Sequence, residues 1–205
     1  MRIMNLKAKT AKSEMTRTAI VGAALDLAAA EGLEALTLQA VADRIGLSKS
    51  GVFSRVGSRE ALQKAVIEEF GRRFLADVFV PAMQKPQGLP RLNEIVQRWI
   101  VRMRDVEVQS GCIFTAGAFE LDDREGELRD LLFQEISRWR AALRRTVLQA
   151  VEAGHLKPDT MPEQLVGEIY GIAIGLLHDA RFLRDPTAAE RARATWQRLL
   201  QSYQP

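Results

Sequence analysis

One cysteine, Cys112, and two histidines, His155 and His178, are the only thiol and imidazole groups in this 205-residue chain. A single thiol cannot close an internal disulfide, so the fold needs no oxidising compartment. With the histidines far apart in sequence, no metal-ligand cluster is expected. Long apolar runs are missing too. The longest, Ile172–Leu177, is flanked by Glu168 and Asp179 and falls well short of the roughly 20 residues of a membrane span. No apolar stretch follows the basic N-terminus as it would in a signal peptide, and the reading is a cytoplasmic chain without a membrane partner. Strict apolar–polar alternation is absent, so strands are not expected. Nor is there a phosphate-cradling glycine loop or a nucleophile–base pair. Asp122, Asp123 and Glu125 read as dipole partners at a helix start rather than as paired catalytic acids. Neither a catalytic residue nor a cofactor is expected, and the chain is read as no enzyme.

What is present is helical periodicity almost throughout. Apolar residues make up 47% and charged ones 27%, an ordinary globular balance. The net charge of +3 is small, but its location is uneven: Arg2, Lys7, Lys9, Lys12 and Arg17 face Glu14 alone in the first seventeen residues. That basic arm, Met1–Lys12, reads either as a tail reaching into a DNA minor groove or as a solvated extension. A first helix capped by Thr16 or Thr18 would bury Ile20, Ala24, Leu27 and Ala28 and stop at Gly32. Breaks at Gly46, Gly57, Pro81–Pro90, Gly111, Gly154–Pro158 and Asp185–Pro186 then divide the rest into further helices. The count is about nine, in an all-α chain. The natural boundary falls near residue 58, giving an N-terminal three-helix domain (1–58) and a larger C-terminal helical domain (59–205).

The informative stretch runs from about Thr37 to Val56. Thr37 caps a short helix with Leu38, Val41, Ala42 and Ile45 inward, and Gly46 permits a tight turn. Ser48 caps a second short helix that buries Val52, and Leu47 is expected inside with it. Ser48, Lys49, Ser50, Ser54 and Arg55 are left outward. Two short helices hinged at a glycine, with a cationic and uncluttered second helix, fit a helix-turn-helix that enters the major groove of double-stranded DNA. A plain three-helix packing unit is the competing explanation of the same pattern.

Gly32, Leu36-Thr37-Leu38, Val41-Ala42, Gly46-Leu47-Ser48, Phe53 and Ser58-Arg59-Glu60-Ala61-Leu62 stand together in a register that resembles the TetR family of repressors. The resemblance covers about Thr16 to Val66, with a looser likeness from Gly111 to Arg124. It implies an N-terminal DNA-binding helix-turn-helix followed by a helical ligand-binding and dimerisation domain. It also implies a repressor released from its operator by a small-molecule effector. By the same resemblance Gln39, Lys49, Ser50 and Gly51 would face bases or backbone. Thr37, Ser48 and Arg59 would meet phosphates. Two residues depart from the pattern. Phe53 stands where tyrosine is usual and lacks the hydroxyl that touches phosphate, and Arg55 replaces the usual aromatic or histidine, where it could meet phosphate or guanine.

A helix-turn-helix of this size reads few base pairs, so a homodimer on a two-fold operator is expected. Gly167, Gly171 and Gly175 recur every four residues beside His178, and Ala192, Thr195 and Leu199 form a stripe on the last helix. Glycine costs about 1 kcal/mol in a helix interior, so three in register point to a close helix–helix approach. That approach is either a dimer interface or packing within one copy. The large side chains able to line an effector pocket are Trp99, Met103, Phe114, Phe119, Phe133, Trp139 and Tyr170. Most aromatics at helical spacing are simply core. Cys112, placed to open a helix after Gly111, could serve as a sensing thiol or, more ordinarily, as a buried structural one.

Overall fold

A computed structural model describes the backbone of residues 2–205 and the side chains from Ser13 onward. Among the described residues there are nine continuous helices and no strand. α1 is Arg2–Glu31, α2 Leu38–Ile45 and α3 Lys49–Val56. α4 runs Arg59–Phe74, widens into a π-helical turn at Leu75–Phe79 and finishes with Val80–Ala82. α5 repeats that design: Leu89–Arg102, a π-helical Met103–Glu107, then Val108–Ser110. α6 is Ile113–Glu120 and α7 is Glu127–Glu152. α8 is Pro162–Leu177 with a π-helical end at His178–Phe182, and α9 is Ala188–Tyr203.

Two expected helix starts move. Neither Thr16 nor Thr18 caps α1, because no glycine or proline interrupts the preceding residues and the helix is already running. The Thr18 hydroxyl instead donates back to the Glu14 carbonyl at 3.0 Å, as a mid-helix threonine does. The side chains of the basic arm, up to Lys12, lie outside the described residues. α7 starts at Glu127, beyond the Asp122, Asp123 and Glu125 expected at a helix start, since Gly126 takes a φ of +129° just before it. The π turn in α4 also has a local cause. Pro81 has no N–H to give, and the Val80 N–H bonds the Leu75 carbonyl five residues back.

The chain forms two compact units. One contains the chain up to Gly71 together with Ile113–Phe133. Its core is Ile20, Ala24, Leu33, Leu36, Val41, Ala42, Val52, Leu62 and Val66, all essentially closed to solvent. α6 is tied into this unit by Glu120, whose two carboxylate oxygens accept the N–H groups of Leu33 (2.9 Å) and Glu34 (2.6 Å). Phe114 adds an edge-to-face contact with Phe70 at 4.8 Å between centroids. The other unit comprises Arg72–Cys112 and Gln134–Pro205. Its core includes Ile95, Trp99, Met103, Leu143, Val147, Leu165, Ile169 and Trp196, the last donating through Nε1 to Asn93 at 2.9 Å.

Candidate nucleic-acid interface

The turn between α2 and α3 is built by three local devices. The Thr37 hydroxyl accepts the Ala40 N–H at 3.0 Å and so satisfies a donor that the first turn of α2 leaves open. Gly46 then adopts φ +68°, ψ +31°, a left-handed conformation that a side chain resists, while its N–H and that of Leu47 both return to the Ala42 carbonyl. The Ser48 hydroxyl closes the motif by accepting the Gly51 N–H at 3.1 Å. Ala42 and Val52 are fully buried where the two helices meet. Leu47, expected inside, is 38% exposed, because the left-handed glycine swings the chain outward before Ser48.

α3 consequently presents Lys49, Ser50, Phe53, Ser54 and Arg55 on the surface, with Ser48 and Gly51 at its opening turn. The hydroxyls of Ser48 and Ser50 lie 3.1 Å apart. Phe53 is 57% exposed, an unusual position for a phenyl ring in a helix whose other outward residues are polar. The Arg55 guanidinium donates to the Ser13 hydroxyl of α1. On α2, the Gln39 amide donates to Asp43 at 2.7 Å, one turn along the same outward face. Arg59 points the other way: Nε donates to the Leu36 carbonyl at 2.8 Å and Nη2 to the Glu34 carbonyl at 2.5 Å. It therefore clamps the loop between α1 and α2. Gln63, 4% exposed, reinforces that clamp by donating to the Leu33 carbonyl at 2.7 Å.

Sequence reasoning missed Glu120, Gln63 and the clamp role of Arg59. The signal available was Gly32: a helix ended by a left-handed glycine (φ +96°) leaves Leu33 and Glu34 in need of acceptors. Nothing local supplies them, and the carboxylate comes from 86 residues away.

In the second unit, α8 and α9 border a groove of about 440 Å³ lined by Gly171, Gly175, Ala188, Ala192, Thr195 and Leu199, among others. A Cβ placed on Gly167, Gly171 or Gly175 would meet nothing within 4 Å, so the glycine stripe is not consumed by packing among the described residues. Tyr203 ties the two helices together by donating to Glu168 at 2.8 Å; burial, then that hydrogen bond, push its hydroxyl up to about 12. His178 is exposed and bonded to Asp179 at 3.0 Å.

Of the seven candidate pocket residues, Trp99, Trp139 and Tyr170 form a cluster in this unit, with centroids 5.1–5.4 Å apart in successive edge-to-face pairs. Met103 is buried one turn beyond Trp99. Phe114 belongs to the other unit, as do Phe119 and Phe133, which are both largely exposed. Cys112 precedes α6 rather than opening it and is buried. Its thiol hydrogen-bonds the buried Glu107 carboxyl, which burial holds above the ordinary carboxylate range against the opposing pull of that thiol and of Arg102. Among the described residues no group of three His, Cys, Asp or Glu side chains could hold a metal, and no helix is long and apolar enough to cross a membrane.

Comparisons with known proteins agree with this architecture. A family model described as bacterial regulatory proteins, tetR family, matches residues 20–66, and one described as tetracyclin repressor-like, C-terminal domain, matches residues 88–196. No curated protein sequence matches significantly. Among solved structures, a TetR-family transcriptional regulator from Cytophaga hutchinsonii superposes with a TM-score of 0.79 at 17% identity, covering 94% of this chain and 96% of its own. A TetR transcriptional regulator from Chloroflexus aurantiacus gives 0.78 at 22%, covering 93% and 94%. A regulator from Saccharomonospora viridis in complex with choline gives 0.75 at 13%, covering 92% and 96%. With both halves matched in order, and with a capped, glycine-hinged helix pair where the family carries its DNA-binding motif, this chain belongs to the TetR family of helix-turn-helix transcriptional regulators.

Proposed function

We propose that the chain is a repressor that holds a two-fold symmetric operator as a homodimer and lets go when a small molecule binds its C-terminal domain. Residues 1–58 would carry the DNA contacts and 59–205 the effector and dimer functions. The observation that supports this most directly is α3: a short helix, capped by Ser48, whose outward side chains are small, polar or basic apart from Phe53. Such a surface fits the major groove without steric conflict. Lys49, Ser50 and Gly51 are assigned to base edges. Thr37, Gln39, Ser48 and Arg55 are assigned to the adjoining backbone, where Arg59 would offer phosphate whatever its loop clamp leaves over. The open glycine stripe with Ala192, Thr195 and Leu199 supports a dimer seam formed by α8 and α9 of two copies. The choline complex of the Saccharomonospora viridis structure supports a small-molecule input for this architecture. That input must favour the state that binds DNA poorly, since a ligand indifferent to the two states shifts nothing.

Selection of bound sites from a random duplex pool, at fixed and stated salt, tests this reading. A two-fold symmetric motif is the expected product, and an unenriched or asymmetric pool would refute it. On the selected site, Lys49→Ala should lose about 1–3 kcal/mol, roughly 5- to 150-fold in affinity, and relax preference at one position of each half-site. Uniform weakening on every sequence would reassign Lys49 to phosphate. Phe53→Tyr should move affinity the other way. The exposed ring at this position lacks only a hydroxyl, and a hydrogen bond to a charged phosphate is worth about 1.5 kcal/mol, or roughly tenfold tighter binding by fluorescence anisotropy.

A further inference from the structure

The second unit contains two buried indole donors with nothing to donate to. Trp99 and Trp139 are 6% and 3% exposed, and neither indole Nε1 has a hydrogen-bond partner. The third tryptophan, Trp196, is satisfied by Asn93. An unmet buried donor is destabilising and rare, so two on contacting side chains are unusual for a core. The neighbouring rings supply only π faces: Trp99 and Trp139 meet edge-to-face at 5.4 Å, Phe74 meets them at 5.8 and 4.9 Å, and Tyr170 meets Trp99 at 5.1 Å. An N–H over a ring is a much weaker contact than one to oxygen.

Two further observations mark the same place. The π-helical turns Leu75–Phe79 and Met103–Glu107 directly follow Phe74 and the turn carrying Trp99, and such turns are frequent at functional sites. Of the two cations near the rings, Arg140 lies over Tyr170 at 4.4 Å from its centroid but is exposed to solvent. Arg102, whose guanidinium lies 5.6 Å from the Phe74 centroid, is met by Glu107 and by Asp77. A charged guest would have to shed its water without gaining a buried counter-ion.

Resting on the effector role proposed above, we infer that this aromatic cluster opens to take an uncharged, largely apolar carbonyl compound whose oxygen accepts from the indole N–H groups of Trp99 and Trp139. The rings supply apolar area and edge contacts, and the two donors orient the one polar atom.

The test uses the full chain labelled with ¹⁵N at tryptophan, which gives three indole N–H resonances, assigned with Trp99→Phe and Trp139→Phe. The probes are acetylnaphthalene, its same-shaped alkene isopropenylnaphthalene, and naphthoate. Acetylnaphthalene should move the Trp99 and Trp139 resonances downfield and leave that of Trp196 in place. It should also bind about tenfold tighter than the alkene, the difference that one to two neutral hydrogen bonds make, and naphthoate should bind more weakly than either. In Trp99→Phe and Trp139→Phe the advantage of ketone over alkene should shrink. Unmoved resonances, equal affinity for ketone and alkene, or tighter binding of naphthoate would each overturn the inference. Because no DNA enters the titration, a symmetric selected site with unmoved resonances would defeat this ligand class and keep the regulator reading. Shifted indoles with no selected site would do the reverse.

Discussion

Arg102→Met is expected to remove about 3–5 kcal/mol of folding stability near neutral pH, the characteristic cost of leaving one member of a buried ion pair alone. The Arg102 side chain is 6% exposed and that of Glu107 fully closed, with Nε donating to Oε1 at 3.0 Å. Methionine preserves much of the aliphatic stem, so the loss reports charge rather than volume. The pH dependence distinguishes this cause from a packing defect. Glu107 already holds its proton more tightly than a free glutamate, burial being the largest cause, with the Cys112 thiol and Arg102 pulling the other way. A carboxyl whose folded pKa is raised adds stability that is complete below its unfolded value and is lost as pH rises through the folded one. Without Arg102 the folded pKa climbs further. The variant should therefore lose stability steeply as pH rises above the ordinary carboxylate range, and its deficit against the parent should shrink towards the acid end. Urea unfolding at fixed protein concentration checks this. A deficit independent of pH would mean that the ion pair is not its source. Asp77, the second partner of Arg102, is 55% exposed, so Asp77→Asn should cost no more than about 1 kcal/mol.

That pair also marks a limit of reading function and fold from the chain alone. The helix-turn-helix was legible because every one of its devices is local: Thr37 reaches Ala40, Gly46 returns to Ala42, and Ser48 reaches Gly51. Residue type and a spacing of three or four suffice for such contacts. The helix count was legible for the same reason, since glycine and proline punctuate it. Leu47 was misplaced inside because apolar character alone does not reveal which way a left-handed glycine turns the chain. Glu120 and Gln63 were invisible because their partners lie 87 and 30 residues away and are backbone groups, which leave no complementary side chain to find. Arg59 shows how a resemblance can hide a second role: the family likeness implies a phosphate contact, while its guanidinium is engaged with the carbonyls of Leu36 and Glu34. The glycines of α8 lay between these cases. Their spacing announced a close approach, but only the structure shows that none of the described residues meets them.

That vacancy gives the second large expectation. Gly171→Arg should leave each copy folded and abolish the dimer proposed above. A Cβ at this position meets nothing within 4 Å, so the new side chain has room in the isolated chain. Replacing glycine by arginine in a helix interior also gains about 0.8 kcal/mol of helix propensity, so monomer stability should hold or rise slightly. Between two copies the outcome reverses. A seam built on glycines brings backbones together, and a guanidinium wedged there is both too large and stripped of water. If α8 and α9 form the dimer, sedimentation should show a monomer at concentrations where the parent is a dimer. Affinity for a full operator should then fall by at least 100-fold, because two half-sites are no longer linked and the second binding event loses its effective concentration. Affinity for a single half-site should stay within about twofold, since α3 is untouched. The equivalent change at Gly167, on the same stripe but away from the groove lining, should act in the same direction. A Gly171→Arg protein that remained dimeric and held its operator would place the seam elsewhere on the chain. If it instead failed to fold, the stripe would have to be covered by something in the same molecule, which the open space around Gly171 contradicts.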